Sequence, residues 1–401
     1  MFARWTGCES DQKWVNSGET ALETRNEKRY NFPHMATEDG KAAWVIGFGR
    51  SGQAANAVLA ARGDDVHVVE RADLVVVSPG VRVMSELEFG VRELKTRGVR
   101  LLAVTGSKGK SSVVKLVADA LVRAGRRAVA CGNYGLPVSE VGACDWAVVE
   151  VSSFQLETTN LPPDTFEAAA VLNLQADHPD RHGSLELYHA LKLKLLGMTR
   201  RPVRAWELPA DEAARALLAG SYFDNDILRE NGLAAIALLR AAGLADAQIA
   251  AAFAAFEPLP HRMNLVAEIA GVRYIDDSKA TSLAALAAGV SMAGDRVRLI
   301  AGGLPKGDDP KSVIPLLPKR VKKVYTIGRS AETFAAAWSG SVECEICGTM
   351  ERAVAAAVRE AVRGETVLLS PGCASFDQFN NFGERGEVFA RLVKPEGTNE
   401  K

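Results

Sequence analysis

Short apolar runs rich in β-branched residues alternate with alanine- and leucine-rich stretches along most of the chain. The runs are WVIGFG, DVHVVE, DLVVVSPG, VRLLAVTG, RAVACG, DWAVVEVSS and AAAVLN, and after a break at EPLPHRM they resume with VRYIDDSKA, VRLIAGG, VKKVYTIG and ETVLLSPG. This alternation is typical of parallel sheets with helices packed on their faces. The sequence therefore predicts an α/β fold.

The same alternation indicates three α/β units, at residues 41–100, 101–256 and 257–396. Asp224 to Phe256 is predicted to be helical up to the two prolines of EPLPHRM. Residues 1–40 are polar and aperiodic, so we expect them to be disordered or a non-native start, with Met35 as an alternative first residue.

Composition limits the partners and the compartment. The 48 basic and 49 acidic residues nearly cancel, so we expect no nucleic-acid partner. No apolar run approaches the roughly 20 residues of a membrane span, and we expect a cytoplasmic protein without a membrane partner. The six cysteines suggest reduced thiols, and the isolated pair Cys344 and Cys347 lacks the further ligands of a zinc site.

The stretch VTGSKGKSSVVKLVADALVRAG predicts a phosphate-binding loop between a strand and a helix. Gly106 and Gly109 would let main-chain N–H groups approach phosphate oxygens, Lys110 would neutralise phosphate charge, and Ser111 would hold Mg²⁺. A chance Gly-Lys-Ser turn before a helix is the alternative. Glu150, at the end of the strand in DWAVVEVSS, is the candidate magnesium-holding acid, and an exposed strand-end acid is its alternative.

Other strand ends also carry polar groups. Gly47, Gly49 and Gly52, followed by Glu70, match a dinucleotide-binding pattern, which is compatible with an oxidoreductase, with another nucleotide or with an unliganded turn. The loop DHPDRH places His178 after a strand, where a ligand role and a plain surface loop are equally compatible with the spacing. DDSKATS, GGLPKGDD and SPGCASFDQFNNFGERG follow strands in the third unit, where catalytic loops are expected.

Together these motifs resemble the Mur ligases, ATP-dependent amide-bond ligases of peptidoglycan synthesis. Their phosphate loop reads T-G-[TS]-N-G-K-[ST], and Thr105 to Ser111 match it except that Lys108 replaces the asparagine. DDSKATS and SPGCASFDQF are similar to third-unit motifs of the D-glutamate-adding members. The resemblance implies three domains: a Rossmann-like N-terminal unit, a P-loop ATPase unit and a Rossmann-like C-terminal unit.

The resemblance also implies a reaction, its substrates and the residues that serve it. ATP and Mg²⁺ would be the cofactors, and UDP-N-acetylmuramoyl-L-alanine and D-glutamate the substrates of a monomeric enzyme. The catalytic residues would be Lys110, Glu150, His178 and Lys192. The ATP-binding residues would be Gly106, Ser107, Lys108, Gly109, Lys110, Ser111, Ser112, Asn231, Arg262 and Asp277. The UDP-substrate residues would be Gly49, Arg50, Ser51, Gly52, Glu70 and Arg71, and the D-glutamate residues Lys279, Thr281, Lys306, Ser375 and Phe382.

The metal ligands implied by the resemblance are Ser111, Glu150, His178 and a lysine carbamate. The family pattern Y-x-A-x-K puts the carbamate on Lys192, and helical spacing places Lys192 near Leu185, Tyr188, Leu195 and Leu196 while Lys194 points away. Desolvation on such a face favours the neutral amine that adds CO₂. The alternative is a lysine whose ammonium reaches the surface.

The chain departs from the family pattern by being short. Few residues separate Glu70 from the strand before the phosphate loop, or Gly197 from Asp224, and the family's H-N-x-x-N helix start is reduced to Asn231. The first two units are therefore predicted to be shortened. A catalytically weakened nucleotide-binding remnant, another amide ligase of the same fold and an oxidoreductase remain as alternatives.

Overall fold

The structure is a computed structural model that describes residues 42–47, 49–70, 83–175 and 179–394. The predicted segment 1–40 and the run DLVVVSPG lie outside the described residues. The strands in chain order are β1 Ala42–Ile46, β2 Asp65–Val69, β3 Arg100–Thr105, β4 Ala128–Gly132, β5 Trp146–Glu150, β6 Ala168–Val171, β7 Pro202–Arg204, β8 Asn264–Ile269, β9 Val272–Asp276, β10 Val297–Gly302, β11 Val321–Ile327, β12 Glu343–Gly348 and β13 Thr366–Leu369.

The helices alternate with these strands, as the sequence pattern predicts. They are α1 Arg50–Ala61, α2 Glu86–Thr96, α3 Lys110–Arg123, α4 Ser153–Thr158, α5 Pro179–His182, α6 Leu185–Leu193, α7 Glu212–Leu218, α8 Arg229–Ala241, α9 Asp246–Ala254, α10 Leu283–Ala293, α11 Leu317–Arg320, α12 Ala331–Trp338, α13 Met350–Glu360 and α14 Phe382–Val393. None of them combines the length and apolar character that a membrane span requires.

The strands form three sheets. β1 and β2 pair in parallel, the central sheet has the parallel order β4-β5-β3-β6-β7, and the third sheet has the order β12-β11-β10-β13-β9-β8. The third sheet is parallel except for β8, which runs antiparallel to β9. The pairing of β8 departs from the parallel expectation because only Ala270 and Gly271, both at positive φ, connect it to β9.

Both larger sheets bury apolar side chains on their two faces. On one face of the central sheet, α3, α8 and α9 pack over residues such as Leu102 and Val148. On the other face, Leu87 and Leu94 of α2 share a core with Leu101 and Ala103 of β3. The packing of α2 therefore crosses residue 100, and the boundaries between the three units remain a prediction.

Two local expectations differ from the structure. The helical stretch 224–256 consists of two helices, α8 and α9, because Gly243 at φ 82° ends the first. Leu185 does not lie on the buried face of α6: it is the first residue of the helix and is 45% exposed, whereas Tyr188 and Lys192 are buried.

Cys344 and Cys347 lie three residues apart on β12, and no metal-binding group of histidine, cysteine or acidic side chains occurs among the described residues.

Candidate active site

The predicted phosphate loop connects β3 to α3 at the carboxyl edge of the central sheet. Gly109 precedes α3 with φ 83°, and a Cβ there would lie 2.2 Å from Nδ2 of Asn231. Position 109 therefore requires glycine, both for its main-chain conformation and for the close approach of Asn231. Ser111 and Ser112 lie in the first turn of α3. The assignment of this turn as a phosphate loop stays a prediction.

Asn173, which follows β6, holds this loop from the adjacent strand. Its Oδ1 accepts from the main-chain N–H of Lys108 at 2.8 Å, and its Nδ2 donates to the Lys108 carbonyl at 3.1 Å. The loop is therefore clamped at the position where the sequence departs from the family pattern. Sequence reasoning missed Asn173, although its place directly after the run AAAVL was a usable signal.

Ser107 connects the loop to α6. Its hydroxyl donates to the Gln175 carbonyl at 2.8 Å and accepts from the Gln175 N–H at 2.9 Å. The Tyr188 hydroxyl donates to the same oxygen at 3.2 Å. The helix that carries Lys192 is thus hydrogen-bonded to the phosphate loop.

The structure brings Lys110 and Lys192 together at the loop and leaves Lys194 elsewhere. Nζ of Lys110 donates to the Gly106 carbonyl at 2.8 Å, and Nζ of Lys192, which is 1% exposed, donates to the same carbonyl at 2.9 Å. Nζ of Lys194 instead donates to the Leu156 carbonyl, and desolvation lowers the pKa of Lys194. The choice of Lys192 over Lys194 as the carbamate residue stays a prediction, but only Lys192 reaches the loop.

Glu150 ends β5, beside Val104 of β3. Its carboxylate is 1% exposed, and Oε1 accepts from Nδ2 of Asn133 at 2.7 Å. Oε2 is buried and finds no hydrogen-bond donor among the described residues. The exposed-acid alternative is wrong, because Glu150 is buried. A buried carboxylate oxygen without a donor is suited to a cation.

The DHPDRH loop is described only in part, since the predicted ligand His178 lies outside the described residues. His182 is 5% exposed, and its Nε2 lies 3.0 Å from the Ser153 hydroxyl. Its Nδ1 lies 3.3 Å from the Glu157 carboxylate. This histidine therefore belongs to the packing between α4 and α5.

The predicted amino-acid residues meet at the carboxyl edge of the third sheet. Nζ of Lys279 lies 3.9 Å from the centre of the Phe382 ring, and Nζ of Lys306 donates to the Thr281 hydroxyl at 3.3 Å. Ser375, in the loop after β13, is 2% exposed. The structure thus brings all five of these residues to neighbouring loops.

Charged residues of both larger sheets act on the pKa of Lys279. Desolvation lowers the pKa of Lys279, and the charges of Arg262, Lys306 and Lys110 lower it further while Glu150 raises it.

Two predicted ATP-binding residues, Arg262 and Asp277, flank the antiparallel strand pair β8 and β9. Asp277 accepts from the Ser370 hydroxyl at 2.9 Å and from the Met263 N–H at 3.3 Å, and burial raises its pKa to about 7. The positive charge of Arg262 lowers the pKa of Asp277 and so partly offsets the effect of burial. A buried acid that can change protonation near neutral pH is typical of functional sites.

Arg385 of α14 is a site residue that sequence reasoning missed. Its guanidinium, 1% exposed, donates to the Ser278 hydroxyl at 2.9 Å, to the Ser278 carbonyl at 2.7 Å and to the Cys373 carbonyl at 3.1 Å. Burial lowers its pKa to about 10. Arg385 therefore fixes the loop after β9 to the loop after β13.

The glycine turn of the first sheet is tight. A Cβ at Gly52 would lie 1.9 Å from the Gly47 carbonyl oxygen, and Arg50 forms an ion pair with Glu140 at 3.5 Å. Gly49, Arg50 and Ser51 are exposed at the start of α1, and Glu70 follows β2, whereas Arg71 lies outside the described residues. The turn therefore presents an accessible helix start, which is suited to phosphate groups.

An α/β fold with a phosphate loop and an acidic strand end in one sheet, and a lysine cluster at the strand ends of another, is the arrangement expected of a Mur-type ligase. Residues 104–217 match the Mur ligase middle domain, and residues 261–373 match the Mur ligase glutamate ligase domain. The chain is 33% identical to a UDP-N-acetylmuramoylalanine–D-glutamate ligase of Acidobacterium capsulatum, with 88% of this chain and 96% of the relative covered. It is 36% identical to the ligase of that name in Rubrobacter xylanophilus, with 87% and 97% covered.

The chain belongs to the UDP-N-acetylmuramoylalanine–D-glutamate ligases of the Mur ligase family. The first alignment runs over 452 positions although only 88% of this chain takes part, so the relative has residues without counterparts here. The expectation of a shortened chain is therefore confirmed.

Solved structures support the same fold. The MurF ligase of Thermotoga maritima in complex with ADP superposes with a TM-score of 0.58 at 16% identity, covering 89% of this chain and 96% of that one. MurC of Thermotoga maritima gives a TM-score of 0.57 at 16% identity, with 88% and 99% covered. The predicted three-part Mur ligase architecture is thus confirmed.

Proposed function

We propose that this chain is an ATP-dependent ligase that joins D-glutamate to UDP-N-acetylmuramoyl-L-alanine in the synthesis of peptidoglycan precursors. The observation that carries the proposal is the buried Oε2 of Glu150, which has no hydrogen-bond donor among the described residues and lies on the strand next to the one that leads into the phosphate loop. The phosphate loop and Glu150 supply groups for ATP and its metal, and the lysine cluster of the third sheet supplies groups for the amino acid. The D-glutamate-adding relatives support the choice of amino acid.

The reaction proceeds through an acyl phosphate. The alanyl carboxylate of the UDP substrate attacks the γ-phosphorus of ATP and releases ADP. The amine of D-glutamate then attacks the acyl carbon, and the tetrahedral intermediate expels inorganic phosphate as the amide forms. In this mechanism the main-chain N–H groups of Gly106 to Gly109, together with Lys110, hold the phosphates and offset their growing charge.

Mg²⁺ fits the donor groups at this edge of the central sheet. The buried Oε2 of Glu150 lacks a donor among the described residues, and Ser111 stands at the start of α3. Ser111, Glu150, His178 and a carbamate on Lys192 would hold the metal, which supplies Lewis-acid neutralisation of phosphate charge. Asn133 keeps Glu150 oriented through its bond to Oε1.

The remaining predicted contacts divide between the two other sheets. Lys279, Thr281, Lys306, Ser375 and Phe382 would bind D-glutamate, with the lysines pairing its carboxylates. Gly49, Arg50, Ser51, Gly52, Glu70 and Arg71 would hold the UDP group at the start of α1. Ser112, Asn231, Arg262 and Asp277 would complete the ATP site.

The enzyme is proposed to act as a monomer in the cytoplasm. The five cysteines of the described chain are all free, which fits a reducing compartment.

Phosphate release tests the function, measured with all three substrates and with each omitted in turn. The ligase releases phosphate only when ATP, UDP-N-acetylmuramoyl-L-alanine and D-glutamate are all present, and Lys110→Ala abolishes the release while the far-UV spectrum stays unchanged. Nucleotide binding without turnover would identify a remnant, and a change in nicotinamide absorbance would identify an oxidoreductase. Turnover with another amino acid in place of D-glutamate would identify a different ligase of this fold.

A further inference from the structure

Asp377 lies where three loops of the third sheet meet. The strands β11, β10 and β13 are neighbours, and their carboxyl ends lead into loops that contain Gly328, Gly303 and Ser375. Oδ2 of Asp377, in the loop after β13, accepts from the main-chain N–H of Arg329 at 2.9 Å. The carboxylate therefore bridges from the β13 loop to the β11 loop.

The packing around this carboxylate is close. A Cβ at Gly328 would lie 2.3 Å from Oδ2 of Asp377 and 2.7 Å from Cα of Gly303. Oδ1 of Asp377 is buried, with no hydrogen-bond partner in the described part of the chain. Among the described residues, Oδ2 thus makes the one hydrogen bond of this side chain and Oδ1 makes none.

The same loop is held on its other side by main-chain pairing. Leu304 and Ala374 exchange two hydrogen bonds, at 2.9 and 3.0 Å. Ser375 is adjacent to Ala374, and Lys306 is two residues beyond Leu304. The position of Ser375 relative to Lys306 therefore depends on the pairing at one end of a short segment and on Asp377 at the other.

We propose that Asp377 is a positioning residue for amino-acid recognition, which anchors the β13 loop to Arg329 and so sets the separation of Ser375 and Lys306. This inference rests on the proposed function, since it assumes that these two residues bind the amino acid. Asp377 contributes as a hydrogen-bond acceptor, because Oδ2 accepts from the Arg329 N–H. Its second oxygen, Oδ1, has no donor in the described structure. Its loss affects D-glutamate and leaves the nucleotide unaffected.

The test compares Asp377→Ala, Asp377→Asn and Gln378→Ala in the full-length protein. Gln378 is the matched control, because it neighbours Asp377 but its Nε2 donates to the Gly348 carbonyl at 2.8 Å, at the end of β12. Steady-state phosphate release gives KM for D-glutamate, KM for ATP and kcat for each variant. The binding of ADP and the melting temperature are measured alongside.

Asp377→Ala raises KM for D-glutamate about tenfold, the loss expected for one hydrogen bond to a charged group, and leaves KM for ATP unchanged. Asp377→Asn keeps an acceptor for Arg329 and stays within about twofold of the wild type, as does Gln378→Ala. Equal effects of Asp377→Ala on both KM values, or an effect of Asp377→Asn as large as that of alanine, would overturn the proposal. Absence of D-glutamate-dependent release in the wild type would instead reject the proposed function.

If Asp377→Ala does not fold, its ADP binding is lost as well, and the comparison passes to Asp377→Asn and Gly328→Ala. A Cβ at 328 displaces the carboxylate and strains the main chain at φ 66°. Gly328→Ala then raises KM for D-glutamate at unchanged ADP affinity. A folded Gly328→Ala variant with wild-type KM for D-glutamate would overturn the proposal.

Discussion

The ammonium groups of Lys110 and Lys192 share one acceptor, the main-chain carbonyl oxygen of Gly106. Lys110 comes from the helix that the phosphate loop begins, and Lys192 comes from α6, which is bonded to the same loop through Tyr188 and Ser107. Conversion of Lys192 to a carbamate replaces its ammonium by one N–H group and two acceptor oxygens, and these oxygens must turn away from the Gly106 carbonyl. The modification therefore removes one of the two positive charges at this carbonyl and leaves that of Lys110.

This relationship gives the first prediction. Lys192→Ala lowers phosphate release about 100-fold, and acetate partly restores it by occupying the position of the lost carboxylate. Lys194→Ala stays close to wild type, because Lys194 bonds only to the Leu156 carbonyl in the described structure. Incubation with ¹³C-labelled bicarbonate gives a carbamate resonance in the wild type and in Lys194→Ala but not in Lys192→Ala. An equal loss of activity in Lys192→Ala and Lys194→Ala would show that Lys192 is the wrong residue for the carbamate.

Glu150→Gln separates stability from activity. The amide keeps an acceptor for Asn133 and removes a buried charge with an unpaired oxygen, so the free energy of unfolding does not fall and rises by about 1 kcal/mol. Phosphate release falls about 100-fold, and the increase in melting temperature that Mg²⁺ adds to that of ADP disappears. Glu167→Gln, at the opposite end of the same sheet and paired with Arg100, changes neither quantity. Wild-type turnover in Glu150→Gln would contradict the assignment.

The protonation of Asp277 makes stability depend on pH. Burial raises its pKa from 3.8 to about 7, so between these values the folded state binds a proton that the unfolded state has released. The free energy of unfolding therefore falls as pH rises through this window, by an amount on the order of a few kcal/mol. Asp277→Asn flattens the dependence in urea titrations at several pH values, and the exposed Asp226→Asn does not. A profile of unchanged slope in Asp277→Asn would show that this acid does not titrate there.

Arg385→Lys tests the guanidinium between the two third-sheet loops. A lysine retains the charge but cannot donate to the Ser278 hydroxyl, the Ser278 carbonyl and the Cys373 carbonyl at once. We expect urea denaturation to give a free energy of unfolding about 2–4 kcal/mol lower than that of the wild type. Arg391→Lys, on the exposed side of the same helix, serves as the control. Equal stabilities of the two variants would contradict the role given to Arg385.

Amino-acid choice tests the pocket around Lys279. D-Glutamate is preferred over L-glutamate and D-aspartate, because the groups around Lys279 and Ser375 hold a carboxylate at a fixed reach and leave it unpaired in the wrong isomer. The value of kcat/KM for D-glutamate exceeds the values for L-glutamate and D-aspartate by about 100-fold or more. Equal rates with L-glutamate would place the chain with another ligase of the same fold.

The parts of the site that the sequence predicted are those that lie at strand ends. Gly106 to Ser111 and Glu150 follow apolar runs, and parallel strands bring such ends to one edge of a sheet. Sequence analysis did not predict the roles of Asn173, Arg385 and Asp377. Each of these residues bonds to a residue far away in the chain, at separations of 65, 107 and 48 residues. No local period marks such contacts, which become evident only once the strands are ordered. β12 escaped because its alternation of glutamate and cysteine is weakly apolar.

The two larger sheets keep separate apolar cores, since the buried residues of the clusters at the central sheet extend only to Phe253 and those at the third sheet begin at Val272. Substitutions in the loops after β9, β10 and β13 therefore leave the packing under the phosphate loop intact. The amino acid that such an enzyme adds is, in consequence, a trait that natural selection or a protein engineer can alter through three short loops, while the chemistry that spends ATP is inherited unchanged.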